Sequence, residues 1–384
     1  MMSEIKNSQK SEVIKMRNKI LVLAIFILVL AMISFIGCSK STNDNDSDDN
    51  NPSDTTEVPD TTQPDSSGFG TFDSVNTIAV DDAPSYLEFG ENILVSASSY
   101  RIRFFSLTDP ESPSEIGIYP TDYPYTSMIK SVDVHDTLLF VALDYPLRKI
   151  VILDIADPTS VSQLGELELV STPQCIAYGD NMLFVGYGSS VDGSIVDVSD
   201  VSAPLISGSI PVKFSACDYF YRRLYCINTD YMVYSVDILS SDSSYVLQSA
   251  NTGGQNLDIS VTPWGHLYIA RGVETGTNIG AFIAYDVNQI GLEQYSEELN
   301  SWAAKNIDFD NNFVYLLSRP TPGSSPMNYD LRVYFSYHLD QTQLAFEDTV
   351  IYGNCLAAEN HYIYIGARSS TGEGGNIFIY HHSY

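Results

Sequence analysis

The chain has 384 residues, with 48 Asp and Glu against 19 Lys and Arg, a formal net charge of −29. Such an excess repels a phosphate backbone and excludes nucleic acid as a natural partner. Charged residues make up only 17%, while 24 Gly, 17 Pro and 26 Tyr favour a turn-rich all-β protein over a helical one.

Residues 1–37 place Lys6, Lys10, Lys15, Arg17 and Lys19 ahead of an apolar run from Ile20 to Ile36. A basic start, an apolar stretch and a small residue before the cut describe a secretory signal, initiated at Met1 or at Met16. The stretch Phe35-Ile36-Gly37-Cys38 resembles a bacterial lipobox. That resemblance implies cleavage before Cys38, lipidation of its thiol, and a lipid-anchored place in the cell envelope. Ser39 resembles the residue that follows the cysteine in lipoproteins sent on to the outer membrane. An uncleaved signal anchor stays open, because the apolar run approaches the minimum for a span.

Residues 38–70 follow the cysteine with Ser, Thr, Asn, Asp and Pro and almost nothing apolar. No hydrophobic face can form there, so a disordered acidic linker is expected. Asp44-Asn45-Asp46-Ser47-Asp48 begins like a calcium loop, but Asp49 stands where that loop requires Gly.

From residue 71 to 384 an apolar strand core recurs, from Ile93-Leu94-Val95 through Leu138-Leu139-Phe140-Val141 to Tyr362-Ile363-Tyr364-Ile365. Taking Ile93, Leu138, Met182, Arg223, His266, Phe313 and Tyr362 as equivalent gives seven units with a period in the forties. That is the blade period of a β-propeller, four strands (A to D) to each unit. Pairs such as Glu91-Asn92, Asp136-Thr137, Asp180-Asn181 and Asn360-His361 mark tight A–B hairpins, because they tolerate positive φ. The last unit ends at Tyr384 with no room for a strand D, whereas Phe72–Val80 reads as a spare one. Pairing the two predicts a seven-bladed ring closed by the N-terminal strand, with no exposed edge.

Ile150-Val151-Ile152-Leu153-Asp154-Ile155-Ala156-Asp157-Pro158 and Ser194-Ile195-Val196-Asp197-Val198-Ser199-Asp200 resemble the LVIVD-repeat propellers of bacteria and archaea. The resemblance covers three units, with Arg103 to Pro110 as a partial third. It implies a cell-surface propeller and no defined activity. The aspartates carry a structural expectation too, since an Asx-type bond sets the C–D turn.

Catalytic motifs are scarce. Ser127 to Lys130 matches Ser-x-x-Lys, but it runs into a strand, where residues three apart face opposite sides. The six His are scattered, and no metal or cofactor is expected. In the register of the fourth hairpin Cys217 faces Cys226, which makes them either a cross-strand disulfide or two small core fillers. Cys175 and Cys355 fall near the starts of strands A in the third and seventh units.

Charge gives the sharper pattern. The D–A and B–C connections lie at one end of a propeller, and there fall Arg101, Lys130, Arg148, Lys149, Lys213, Arg271, Lys305, Arg319 and Arg368. The other end collects Glu91, Asp109, Asp136, Asp157, Asp180 and Asp242. Lys130, Arg148, Arg271, Lys305, Arg319 and Arg368 are therefore the candidate site for an anionic ligand, an acidic glycan or a peptide carboxylate. Tyr123, Tyr125, Tyr145, Tyr187 and Tyr329 fall in the same loops as candidate stacking surfaces. Ordinary ion pairs with Glu274, Asp330 and Glu373 are the competing reading of those arginines. The sequence thus reads as a monomeric, lipid-anchored binding module, with envelope proteins or glycans as partners. A hydrolase or lyase acting on extracellular polysaccharide is the rival.

Overall fold

Strand B explains why the repeats become blades. In every unit it is nearly all apolar, so it must be covered on both faces, and only stacking between two neighbouring sheets does that. The computed structural model describes residues 69–383 apart from 121–126, 229, 273–279, 291, 300–301, 321–327 and 370–373. The signal segment, Cys38 and the linker lie outside the described residues, as do Tyr123 and Tyr125.

Seven four-stranded antiparallel sheets form the molecule. Six are sequential meanders, from blade 1 (Tyr86–Gly90, Ile93–Ala97, Arg101–Ser106, Ser114–Pro120) to blade 6 (Trp302–Asp310, Phe313–Pro320, Asn328–Phe335, Gln343–Ile351). Blade 7 takes strands A to C from Gly353–Glu359, Tyr362–Arg368 and Gly375–Ser383, and its strand D from Thr71–Val80. That N-terminal strand runs antiparallel to the last one, from Thr71 opposite Ser383 to Val80 opposite Gly375. The ring closes as expected. Blade 1 also packs against blade 7.

The core is divided the same way. Seven clusters of buried side chains each span one junction between neighbouring blades. Phe140, Phe184, Tyr225, Tyr268, Tyr315 and Tyr364 repeat as buried aromatics at one position of strand B. Turns follow the sequence as well. Asp180 and Asn181, Tyr221 and Arg222, and Asn360 and His361 all hold positive φ at the hairpin tips.

The aspartates of the LVIVD-like segments cap the C–D turns. Asp157 Oδ1 accepts the Thr159 N–H at 3.0 Å and its hydroxyl at 2.6 Å, and Asp197 and Asp200 repeat the arrangement with Ser199 and Ser202. These turns lie against the bulged strand D of the preceding blade. A Cβ on Gly165 would clash with the Val201 carbonyl oxygen, which explains a glycine in the middle of that strand.

Candidate binding face and central channel

Strand A of each blade neighbours strand A of the next, and together the seven line a central channel of about 470 Å³. Each inner strand has a partner on one side only, so its channel-side N–H groups need acceptors from elsewhere. Side chains of the neighbouring blade provide several. Asp133 of blade 2 accepts the Tyr178 N–H of blade 3 at 2.6 Å, and Asp218 accepts the Val261 N–H at 2.8 Å. Asp258 accepts from Ile307 at 3.1 Å, and Asp308 accepts from Ala358 at 2.8 Å. The second oxygen of Asp218, Asp258 and Asp308 accepts the N–H of the next residue in its own strand.

Burial raises all these carboxyls. Desolvation pushes Asp133 and Asp308 up to about 7 and Asp218 and Asp258 up to about 6. The donated N–H groups oppose it in all four, neighbouring carboxylates add to it in Asp133, Asp218 and Asp308, and the Asn306 amide and the Lys305 charge oppose it further in Asp258. Glu88 of blade 1 joins the ring, and burial together with Asp133, Asp308, Asp218 and Asp258 lifts it well above the usual range. These carboxyls keep some accessible surface, because they face the channel, yet protein surrounds them on every side. The sequence reading missed this ring. Glu88, Asp133, Asp218 and Asp308 share one offset before the start of strand B, and that period is the signal that finds them.

The loop end is where the basic residues gather. Arg271 ends strand B of blade 5 opposite Asn256, Arg319 lies opposite Ala303 in blade 6, and Arg368 lies opposite Gly375 in blade 7. Counted from the buried aromatics Tyr268, Tyr315 and Tyr364, Arg319 and Arg368 share one position of strand B, and Arg271 stands one residue earlier in its strand. Arg271 Nη1 donates to the Thr252 carbonyl at 2.6 Å, whereas the Arg368 side chain is exposed. In blade 2, Arg148 sits 5.0 Å from the centroid of the Tyr145 ring, which is 62% exposed. Among the described residues no carboxylate lies within ion-pair distance of Arg148, Arg271 or Arg368.

Other candidates are already engaged. Lys130 belongs to strand A of blade 2 rather than to a connection, and it pairs with Asp144 at 3.4 Å. Lys305 likewise lies inside strand A of blade 6, at a bulge, where its amine donates to the Asn354 backbone and side-chain oxygens at 2.5 and 2.6 Å. Lys149 pairs with Glu166, and Arg101 with Asp82. Tyr187 is only 2% exposed and donates to the Ser194 hydroxyl, so it offers no stacking surface. Tyr329 is half-buried beneath Lys305.

Cys217 does stand directly opposite Cys226, but no bond joins them and all four described cysteines are free thiols. Cys217 Sγ instead meets Cys175 Sγ of blade 3 at 3.4 Å. Among the described residues no His, Cys, Asp or Glu cluster can hold a metal ion.

These features define a class, the seven-bladed β-propeller with a strand-closed ring. No protein-family model matches the sequence, and no curated protein matches it. Solved structures do, 1014 chains in all, too many for the fold to select one function. One is a chain of the structure described as the mitotic checkpoint complex, at 13% identity and TM-score 0.63, covering 89% of this chain and 99% of that one. Another is the WD40 repeats of RRP9, at 11% identity and TM-score 0.61, covering 80% of this chain and 96% of that one. At those identities the likeness is one of fold.

Proposed function

We propose that this propeller is an interaction module of the bacterial cell envelope, held by a lipid on Cys38 and belonging with the LVIVD-repeat propellers. It presents its loop end to a partner that carries carboxylates, an acidic glycan or an acidic peptide. The observation that carries the reading is an arginine at the loop end of strand B in three consecutive blades, on a ring whose net charge is strongly negative. A local cationic patch in an acidic field selects anions that the rest of the surface repels. Arginine suits the task, because its planar fork grips a carboxylate with two parallel bonds. The likeness to WD40 propellers supports a binding role in general.

Hydrolysis or elimination would need carboxylates directed at a substrate. The channel aspartates are instead spent on backbone N–H groups, so their arrangement favours a structural part.

The test is binding of polygalacturonate and of poly-glutamate to wild type and to the triple variant Arg271→Ala, Arg319→Ala, Arg368→Ala. Affinity should fall at least tenfold in the variant, and wild-type affinity should weaken steeply with added salt. Equal binding by both proteins removes the site.

Anchoring has its own experiment. Cys38→Ala should abolish incorporation of labelled fatty acid and move the protein out of the membrane fraction or leave the precursor uncut. Wild-type behaviour in both assays would leave an ordinary signal or anchor.

A further inference from the structure

We infer that Cys175 and Cys217 are a modification site, closing into a disulfide that ties blade 3 to blade 4 at the channel wall. Their sulfurs are 3.4 Å apart on adjacent inner strands, and both line the channel. A disulfide needs about 2.05 Å, so the gap to be closed is roughly 1.4 Å, within reach of small side-chain rotations. Cys226 lies in the same interface, fully buried, and its thiol interacts with Cys175 and Cys217, but among the described residues the sulfur–sulfur hydrogen bond joins Cys217 to Cys175.

The location has a reason. Carboxylates of blades 2, 4, 5 and 6 each accept an N–H of the following inner strand. At the position of Asp133, Asp218 and Asp308, blade 3 has Ala177, as blade 7 has Ala357, and an alanine side chain can accept nothing. The 3–4 junction therefore lacks that carboxylate bridge at the channel, and the thiol pair stands there. Farther out, the junction is held by the Tyr219 hydroxyl donating to Asp180 at 2.7 Å and by stacking of Phe184 on Tyr219. Those contacts hold the two strands in place while the sulfurs react.

Hydrogen peroxide is an oxidant small enough for the channel. The thiolate of Cys217, the more exposed of the two, attacks one peroxide oxygen, breaking the O–O bond to give a sulfenic acid and hydroxide. The Cys175 thiolate then attacks the sulfenic sulfur, forming the S–S bond and expelling a second hydroxide. The two thiol protons convert both hydroxides to water. In sum, two thiols lose two electrons and two protons, and peroxide is reduced to two waters. Burial, followed by the neighbouring Cys175, Cys226 and Asp218, pushes the Cys217 thiol up, so the first step is slow at neutral pH.

The inference rests on neither the anchor nor the ligand proposed above. The experiment treats the full chain with millimolar peroxide, blocks residual thiols, and maps peptides by mass spectrometry without reduction. The expected product joins the Cys175 and Cys217 peptides, persists in Cys226→Ser, and is reversed by dithiothreitol. Because the bridge links residues 42 apart in sequence, the bridged protein should also melt a few degrees higher than its reduced form. A Cys217–Cys226 link, or Cys175 and Cys217 both still free after exposure, overturns the inference, and neither readout depends on a variant that must fold.

Discussion

Removing residues 71–82 should turn the ring into an aggregating, early-melting protein. The deletion takes away strand D of blade 7 and leaves the backbone of Gly375–Ser383 without a partner along its outer edge. Phe72 goes as well, and it packs at 4.9 Å on Phe346, at 5.9 Å on Phe313 and at 3.9 Å on the His382 ring. Val80, 8% exposed, leaves the cluster that joins blade 7 to blade 1. An open strand edge beside lost apolar contacts is a template for pairing between molecules. Light scattering and thermal melting should show oligomers and a loss of 10 °C or more, an order-of-magnitude figure for the loss of a whole strand. A synthetic peptide of residues 69–82 should restore much of the melting temperature in trans, since strand addition needs only an edge and a matching register. A truncated protein that stays monomeric and melts like wild type would mean that closure contributes nothing.

That closure was legible because it follows from counting. Strand B announces itself by unbroken apolar runs, the hairpin pairs by Asn and Asp, and the displaced strand D by the alternating run Phe72–Val80 ahead of the first unit. The fourth hairpin shows how far register reasoning reaches. Cys217 lies opposite Cys226, and Tyr221 and Arg222 take the positive φ of the turn although neither residue favours it. What stayed hidden is contact between blades. Asp133, Asp218 and Asp308 look like ordinary polar residues in alternating strands until ring closure turns them toward one channel. The same holds for Cys175, which is distant in sequence from Cys217 but adjacent across the 3–4 junction. Lys130 and Lys305 were misplaced for a related reason, as strand A begins earlier than its apolar alternation suggests.

Melting temperature should rise as pH falls from 8 to 5, and the channel carboxyls set this slope. Asp133 and Asp308 are pushed up to about 7, Asp218 and Asp258 up to about 6, and Glu88 well above its usual range, in each case mainly by burial. In the unfolded chain the same groups titrate near 4. Between those limits the folded state holds protons that the unfolded state has released, so stability increases as pH falls. One pKa unit corresponds to about 1.4 kcal/mol, but the groups are coupled and water reaches the channel, so a total of about 2–4 kcal/mol is the reasonable scale. For a domain of this size that is roughly 5 °C. The gain should reverse below about pH 4, where Asp157, Asp197 and Asp200 lose the hydroxyl and N–H bonds that hold their carboxyls below the usual range. General repulsion within so acidic a chain gives a slope of the same sign, so a control of equal charge is required. Asp133→Asn with Asp308→Asn should remove about half of the slope between pH 8 and 5, the two groups being among the most strongly raised. Glu168→Gln with Asp340→Asn removes the same charge from exposed positions and should leave the slope nearly unchanged. If both pairs flatten the curve equally, the pH dependence belongs to the surface and not to the channel.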